Sequence, residues 1–212
     1  MFNFNEREFF SRLEPAFLRE LYKPIYSKKQ FRLETPDGFR NVIIYPSVYP
    51  DKVIFEVTFG TRINLIEDTM YQYTNGLKDF QEDSNSSIIS YGNYHNKNYY
   101  RLAANNPEEC LFVIEEIKNF FEREGFAYLE KLSHLDMLDH VFNSFPNQKS
   151  PFAFNQQTRC FRGATVAKLS DNREFETVVR AYQHQLKKRR APDFILEKFN
   201  ALVVYLRSFS FN

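Results

Sequence analysis

Side chains that could do acid–base chemistry lie on and just after one predicted strand. Glu56 faces away from the apolar residues of that strand, and Arg62 and Glu67 follow within a dozen residues. Paired carboxylates can act as general acid and base where burial separates their pKa values. Glu56, Arg62 and Glu67 therefore indicate either a cleft for a polar ligand or a structural salt-bridge network. The sequence favours the network and predicts no catalytic residue.

A second candidate site is the tyrosine segment, residues 90–101, which reads SYGNYHNKNYYR. Tyrosine and asparagine give rigid contact area and adaptable hydrogen bonds in recognition surfaces. We predict that this segment connects the strands of a β-hairpin, at residues 88–91 and 99–104. Its tyrosines either pack across the strands or contact a partner. The candidate partner-binding residues are Tyr91, Tyr94, His95, Asn96, Tyr99 and Tyr100.

Motifs for metal, nucleotide or nucleophilic chemistry are absent from the sequence. The six glycines are too far apart for a phosphate-binding loop, and neither a CxxC nor a Gly-x-Ser-x-Gly motif occurs. The best metal candidate is the group His134, Asp136, Asp139 and His140. However, His134 and His140 would lie about 240° apart around a helix. We therefore predict no metal and no other cofactor.

A basic tract at residues 187–190 could contact nucleic acid, together with the upstream Arg159, Arg162, Arg173 and Arg180. Bases at the end of a helix also complement its dipole, which is the simpler interpretation. The aromatic residues nearby have the helical spacing of core residues and do not alternate with the Lys and Arg residues. With a net charge of +1, nucleic-acid binding remains the weaker alternative.

The elements that must position these residues indicate an α+β fold. An apolar stripe predicts a helix over residues 5–22, in which Pro15 either kinks the helix or begins a new one. Strands at residues 30–34, 39–45 and 52–59 predict an antiparallel meander, and helices fill the C-terminal third. We expect a single domain over residues 1–212, which could divide into an α+β part, 1–144, and a helical part, 145–212.

The charged N-terminal stretch and the short apolar runs predict a cytoplasmic protein with no membrane segment. Hydrophobic residues make up 43% of the chain, which is enough for a core. Cys110 and Cys160 are too few for a disulfide scaffold, so we expect both thiols to be reduced and buried.

Two stretches, VIFEVTFGTRI at residues 53–63 and VAKLSDNREFETVV at residues 166–179, carry a resemblance of overall pattern. In this pattern the chain resembles bacterial α+β proteins of unknown function, some of which look like immunity proteins of toxin systems. The resemblance implies a protein that binds a partner. We therefore predict a protein-binding factor, immunity-like or regulatory. The alternatives are an enzyme with a cleft near Glu56, Arg62 and Glu67, and nucleic-acid binding through the basic helices; the sequence does not indicate an oligomeric state.

Overall fold

The computed structural model describes residues 4–74 and 81–210. Its fold is α+β, as predicted, with an N-terminal helix, an antiparallel sheet and a C-terminal series of helices. Across the two described ranges, no helix combines the length and apolar character needed to cross a membrane.

The sheet contains the three strands of the predicted meander and three shorter ones, two of which overlap the strands predicted at residues 88–91 and 99–104. The strands are β1 (Lys23–Ile25), β2 (Gln30–Thr35), β3 (Gly38–Val48), β4 (Val53–Ile63), β5 (Ser87–Ser90) and β6 (Leu102–Ala104). Their order is β1-β2-β3-β4-β5, and β6 also pairs with β4. A tight turn joins β2 to β3, and the register places Leu33 opposite Arg40.

The predicted hairpin around the tyrosine segment is wrong. Strands β5 and β6 each pair with β4 and do not pair with each other. Between them the chain forms a helical turn at Tyr91–Tyr94, where the Ser90 side chain accepts a hydrogen bond from the Asn93 backbone N–H. Serine is a favoured N-cap residue, so the end of β5 starts a helix in place of a β-turn.

Nine helices occur in the described ranges. They are α1 (Glu6–Arg19), α2 (Asn64–Tyr71), α3 (Tyr91–Tyr94), α4 (Pro107–Phe120), α5 (Phe126–Lys131), α6 (Leu135–Asn143), α7 (Gln156–Leu169), α8 (Phe175–Lys188) and α9 (Asp193–Ser208). A 3₁₀ turn spans Tyr26–Lys28, and a π-helical turn at Phe121–Gly125 joins α4 to α5. Pro15 lies inside α1, which continues through it.

The chain divides into two compact units. The first unit consists of Met1–Thr61 and Ile88–Lys131. Its core is made largely of phenylalanine rings: Phe17 stacks on Phe31 with ring centroids 4.2 Å apart, and Phe9 stacks on Phe55 at 4.6 Å. Such pairs stabilise a fold by about 0.5–1.5 kcal/mol beyond the area that they bury.

The second unit consists of Arg62–Ser87 and Leu132–Asn212. Its core contains Tyr182, which is fully buried and lies against Gly163 of α7. The Tyr182 hydroxyl lies 2.9 Å from the Phe142 carbonyl oxygen and 2.7 Å from Asn143 Oδ1. The residue 144/145 division suggested by the sequence falls inside this unit, and a single domain over the whole chain stays a prediction.

The two cysteines lie in different units, and both are buried with free thiols, as predicted. Burial raises the pKa of both thiols, that of Cys160 to about 12. Neither thiol therefore has the low pKa of a reactive nucleophile.

Candidate functional site

The tyrosine segment consists of an anchor and an exposed tip. The anchor is formed by α3 and the residue after it, and the tip is the loop of residues 96–100 that precedes β6. The six predicted partner-binding residues fall into both parts: Tyr91, Tyr94 and His95 in the anchor, and Asn96, Tyr99 and Tyr100 in the tip.

The two anchor tyrosines donate hydrogen bonds to carboxylates. Tyr91 Oη donates to Glu116 Oε1 at 2.7 Å, and Tyr94 Oη donates to Glu124 Oε2 at 2.9 Å. Burial and the accepting carboxylate raise the pKa of both phenols, that of Tyr94 to about 12. Both hydroxyls are therefore protonated at neutral pH, and neither can serve as a general base there.

The anchor rings pack around Phe120 of α4. The Phe120 ring centroid lies 4.9 Å from that of Tyr91, 5.1 Å from that of Tyr94 and 5.4 Å from that of His95. Within the described part of the chain, the buried His95 Nε2 has no hydrogen-bond partner. These three side chains fix the base of the tyrosine segment through ring packing.

Short-range contacts fix the backbone of the tip. Lys97 N donates to the Gly92 carbonyl oxygen at 2.8 Å, which closes the loop onto α3. A Cβ atom on Gly92 would lie 2.7 Å from the carbonyl oxygens of both Lys97 and Tyr100. The loop can therefore approach α3 this closely only where the residue has no side chain.

The tip presents aromatic side chains to solvent. Tyr99 is 96% exposed and has a φ of 62°, and Asn96 has a φ of 57°. Tyr100 is also exposed, and Lys97 Nζ lies 5.0 Å from its ring centroid. Left-handed backbone costs energy for residues other than glycine, so the contacts at the base of the loop must hold these conformations.

Exposed apolar side chains on α4 extend the surface near the anchor. Phe112 is 74% exposed and precedes Glu116 by four residues, so both lie on the same face of α4. Glu116 in turn accepts the hydrogen bond from Tyr91, whose ring centroid is 6.1 Å from that of Tyr100. The sequence shows Phe112 only as one more apolar residue of an amphipathic helix.

Each of the three residues of the predicted cleft forms an ion pair with another side chain. Glu56 pairs with Arg101 at 3.6 Å, and both side chains are about half exposed. Arg62 is 7% exposed and pairs with Asp68 at 3.3 Å. Glu56 belongs to the first unit, and Arg62 and Glu67 belong to the second.

The Glu67 carboxylate is fully buried and surrounded by donors from its own unit. Arg162 donates from Nε to Oε1 at 2.9 Å and from Nη2 to Oε2 at 2.8 Å. Ser84 Oγ donates to Oε2 at 2.9 Å and accepts a hydrogen bond from Tyr71 Oη at 3.0 Å. A buried carboxylate that is fully engaged in this way has a structural role, which is the interpretation that the sequence favours.

The upstream arginines of the basic tract are partly internal. Arg159 is buried, and its guanidinium donates to the carbonyl oxygens of Phe142 and Phe145. Arg162 is occupied by Glu67. These two side chains are therefore not available to contact phosphate groups.

The residues of the predicted metal candidate have other partners. Asp139 accepts hydrogen bonds from Asn143 and Asn172, both at 2.7 Å, and His140 Nδ1 lies 3.0 Å from Ser144 Oγ. Over residues 4–74 and 81–210, no three His, Cys, Asp or Glu side chains come together in a group that could hold a metal ion.

A pocket in the first unit has no counterpart in the sequence-based predictions. We call it the Tyr22 pocket, and its volume is about 260 Å³. Its lining residues are Glu20, Tyr22, Leu33, Arg40, Glu122, Phe126, Ala127 and Glu130. They come from the connection between α1 and β1, strands β2 and β3, the π-helical turn and α5, so no local motif could have revealed them.

No family model, no curated protein and no solved structure matches this chain.

Proposed function

We propose that this protein is a cytoplasmic protein-binding factor, immunity-like or regulatory, that contacts its partner through the tip of the tyrosine segment. The resemblance of the sequence to partner-binding proteins supports the same class of function. The observation that carries the proposal is the nearly complete exposure of Tyr99 on a fixed loop.

Tyr99 contributes little to the folding of its unit. At 96% exposure its ring buries almost no apolar area, and its left-handed backbone is itself unfavourable. Tyrosine is enriched among the residues that dominate binding energy at interfaces. An exposed tyrosine that costs conformational energy is best explained by contact with a partner.

The fixed backbone of the tip favours binding. Association costs free energy for each loop and side chain that must become ordered, and a loop that is already ordered avoids part of this cost. The Tyr91 and Tyr94 hydrogen bonds and the close contact at Gly92 supply this order before any partner arrives.

The tip alone is too small for a stable interface. A specific interface buries about 800 Å² on each partner, which corresponds to about 20–30 residues. Phe112 on the exposed face of α4 is the natural extension, because Glu116 on the same face anchors Tyr91. We therefore propose a surface centred on Tyr99 and Tyr100 that extends to Phe112.

The test compares partner capture by three single variants of the purified chain. Tyr99→Ala and Phe112→Ala remove proposed contacts, and Tyr49→Ala removes an exposed tyrosine elsewhere in the same unit. We expect a partner captured by the wild type to bind Tyr99→Ala about 30-fold more weakly, the effect of losing about 2 kcal/mol. Tyr49→Ala should bind the partner as the wild type does.

Capture that survives both Tyr99→Ala and Phe112→Ala would show that the interface lies elsewhere. Equal losses in Tyr49→Ala and Tyr99→Ala would indicate non-specific adhesion to tyrosine. Tyr94→Ala is unsuitable for this test, because Tyr94 packs against Phe120 and Tyr128, and its loss would disturb the unit itself.

A further inference from the structure

The Tyr22 pocket is slightly smaller than a typical site for a small molecule. Its volume of about 260 Å³ lies just below the range of about 300–1,000 Å³ that is typical of ligand pockets. The Phe126 and Tyr22 rings line it, with centroids 4.9 Å apart, and Leu33 adds a further apolar side chain. The pocket therefore offers apolar contact to a short aliphatic chain.

The charged side chains of the pocket favour a cationic group. Glu20, Glu122 and Glu130 contribute three carboxylates, and Arg40 contributes a guanidinium. Arg19 pairs with Glu122 from outside the pocket, which leaves the two carboxylates of Glu20 and Glu130 against the one guanidinium of Arg40. A ligand ammonium group would be attracted to these two carboxylates.

A second and independent observation is the Tyr22 hydroxyl. Tyr22 is only 2% exposed and its oxygen is buried; Arg40 approaches this oxygen as a donor, but within the described residues no group accepts the hydroxyl proton. Burial raises the pKa of Tyr22, and Arg40, Glu20 and Glu130 all act on that pKa, so the hydroxyl lies among the charged groups of the pocket.

The Tyr22 hydroxyl is therefore protonated at neutral pH, and its proton needs an acceptor. Arg40 cannot provide one, because a guanidinium has only donors. Buried hydroxyl groups are nearly always hydrogen-bonded, so an acceptor from outside the protein fits this position.

We infer that the Tyr22 pocket binds a small organic ammonium ion that also carries a neutral hydrogen-bond acceptor, such as a carbonyl oxygen. The ammonium group faces Glu20 and Glu130, the acceptor takes the Tyr22 proton, and the aliphatic part lies against Phe126 and Leu33. An α-amino amide has this chemistry, which occurs both in free small molecules and at the N-terminus of a peptide.

Three related probes separate the two halves of this recognition. Leucinamide carries both the ammonium and the carbonyl group, isopentylamine lacks the carbonyl, and 4-methylpentanamide lacks the ammonium. Dissociation constants would be measured by NMR titration of the full chain at low ionic strength and pH 7. We expect leucinamide to bind about three- to tenfold more tightly than either analogue, because each analogue loses one polar contact.

Each substitution in the pocket should affect either the contact with the ligand's acceptor oxygen or the contact with its ammonium group. Tyr22→Phe should reduce the affinity for leucinamide to that for isopentylamine, because it removes the hydroxyl and keeps the ring contact with Phe126. Glu130→Gln should weaken the binding of both amines and leave 4-methylpentanamide unchanged. Glu115→Gln removes an exposed carboxylate outside the pocket and should change none of the three affinities.

A fourth probe distinguishes the two sources of the ligand, a free small molecule and the N-terminus of a peptide. Tighter binding of leucyl-glycyl-glycinamide than of leucinamide supports the N-terminus of a peptide, and weaker binding supports a free small molecule.

The inference would be overturned if leucinamide and 4-methylpentanamide bound with equal affinity. It would also be overturned if the NMR shifts caused by leucinamide did not saturate, since only water would then occupy the pocket. If Tyr22→Phe does not fold, the exposed Glu130 still provides the test. The surface proposed for partner binding shares no residue with the pocket, so either proposal can fail without the other.

Discussion

Loss of the buried Glu67 carboxylate should destabilise its unit far more than loss of the exposed Glu176 carboxylate, although both bind an arginine in the same way. Arg162 binds Glu67, and Arg207 binds Glu176, each through Nε at 2.9 Å and Nη2 at 2.8 Å. The Glu67 and Arg162 side chains are 0% and 11% exposed, whereas those of Glu176 and Arg207 are 50% and 52% exposed. Both pairs lie in the second unit and differ mainly in burial.

Glu67→Gln should cost about 3–5 kcal/mol, because it leaves the Arg162 charge buried without a counter-charge. Glutamine keeps the volume of the side chain and an acceptor oxygen for Ser84, so the cost arises from the charge and not from a cavity. Glu176→Gln should hardly move the unfolding midpoint, because solvent screens the exposed pair. The double variant Glu67→Gln/Arg162→Met leaves no unpaired charge, so it should cost about 2 kcal/mol less than the sum of the single variants.

Urea unfolding at pH 7, followed by circular dichroism, measures these differences, since urea does not screen charges as guanidinium does. The reasoning would be refuted if the free energy of unfolding of Glu67→Gln lay within about 1 kcal/mol of the wild-type value, because the Arg162 charge would then be solvated. Equal effects of Glu67→Gln and Glu176→Gln, or additive effects in the double variant, would contradict it as well.

Two further predictions concern packing and pH. Gly163→Ala should destabilise the protein by about 1–3 kcal/mol, because its Cβ would lie 2.6 Å from ring carbons of the buried Tyr182; an unchanged melting temperature would contradict this. Hydrogen bonds from the Asn105 backbone and the Asn105 and Asn106 amides hold the pKa of Glu109 below its usual value. A lowered folded-state pKa stabilises the protein above the unfolded value of about 4.3, and this contribution is lost as the pH falls through the folded value. The melting temperatures of Glu109→Gln and the wild type should therefore converge between pH 6 and about pH 3, and a constant difference would exclude this linkage.

Local patterns predicted much of the fold, because strong local signals and tertiary packing agree there. Asn106 caps α4 ahead of Pro107, a pair of residue types that is typical of a helix start, and its Oδ1 accepts from Glu109 N at 2.8 Å. The alternating apolar residues of β4 lie on a buried face, as expected for a central strand. In both cases the residues that define the element are close together in the chain.

The hairpin prediction failed because the pairing of short strands is not a local property. β5 and β6 have only four and three residues, which carry too little pattern to identify their partner strand. Both pair with β4, which lies well before them in the chain. The local signal was the pair Ser90 and Asn93, because a serine at the end of a strand can begin a helix.

The Tyr22 pocket was beyond local inference for a related reason. Glu20, Glu122 and Glu130 look in the sequence like ordinary surface acids, and only tertiary structure brings them together. The register that places Leu33 opposite Arg40 completes the lining. A buried hydroxyl whose proton lacks an acceptor can be recognised only once its surroundings are known.

The anchor of the tyrosine segment depends on an irregularity in the helix that supplies its acceptors. Tyr91 and Tyr94 are three residues apart on one helical turn and point to the same side. Their acceptors, Glu116 and Glu124, are eight residues apart, and a regular α-helix would place them about 80° apart around its axis. The π-helical turn at Phe121–Gly125 has more residues per turn, so it rotates Glu124 back toward the face that carries Glu116. Gly125 in this turn is unfavourable inside a helix, yet the structure continues the helix and brings both carboxylates within reach of the two tyrosines. The position of the exposed tip therefore depends on a π-helical turn that a regular helical period cannot predict.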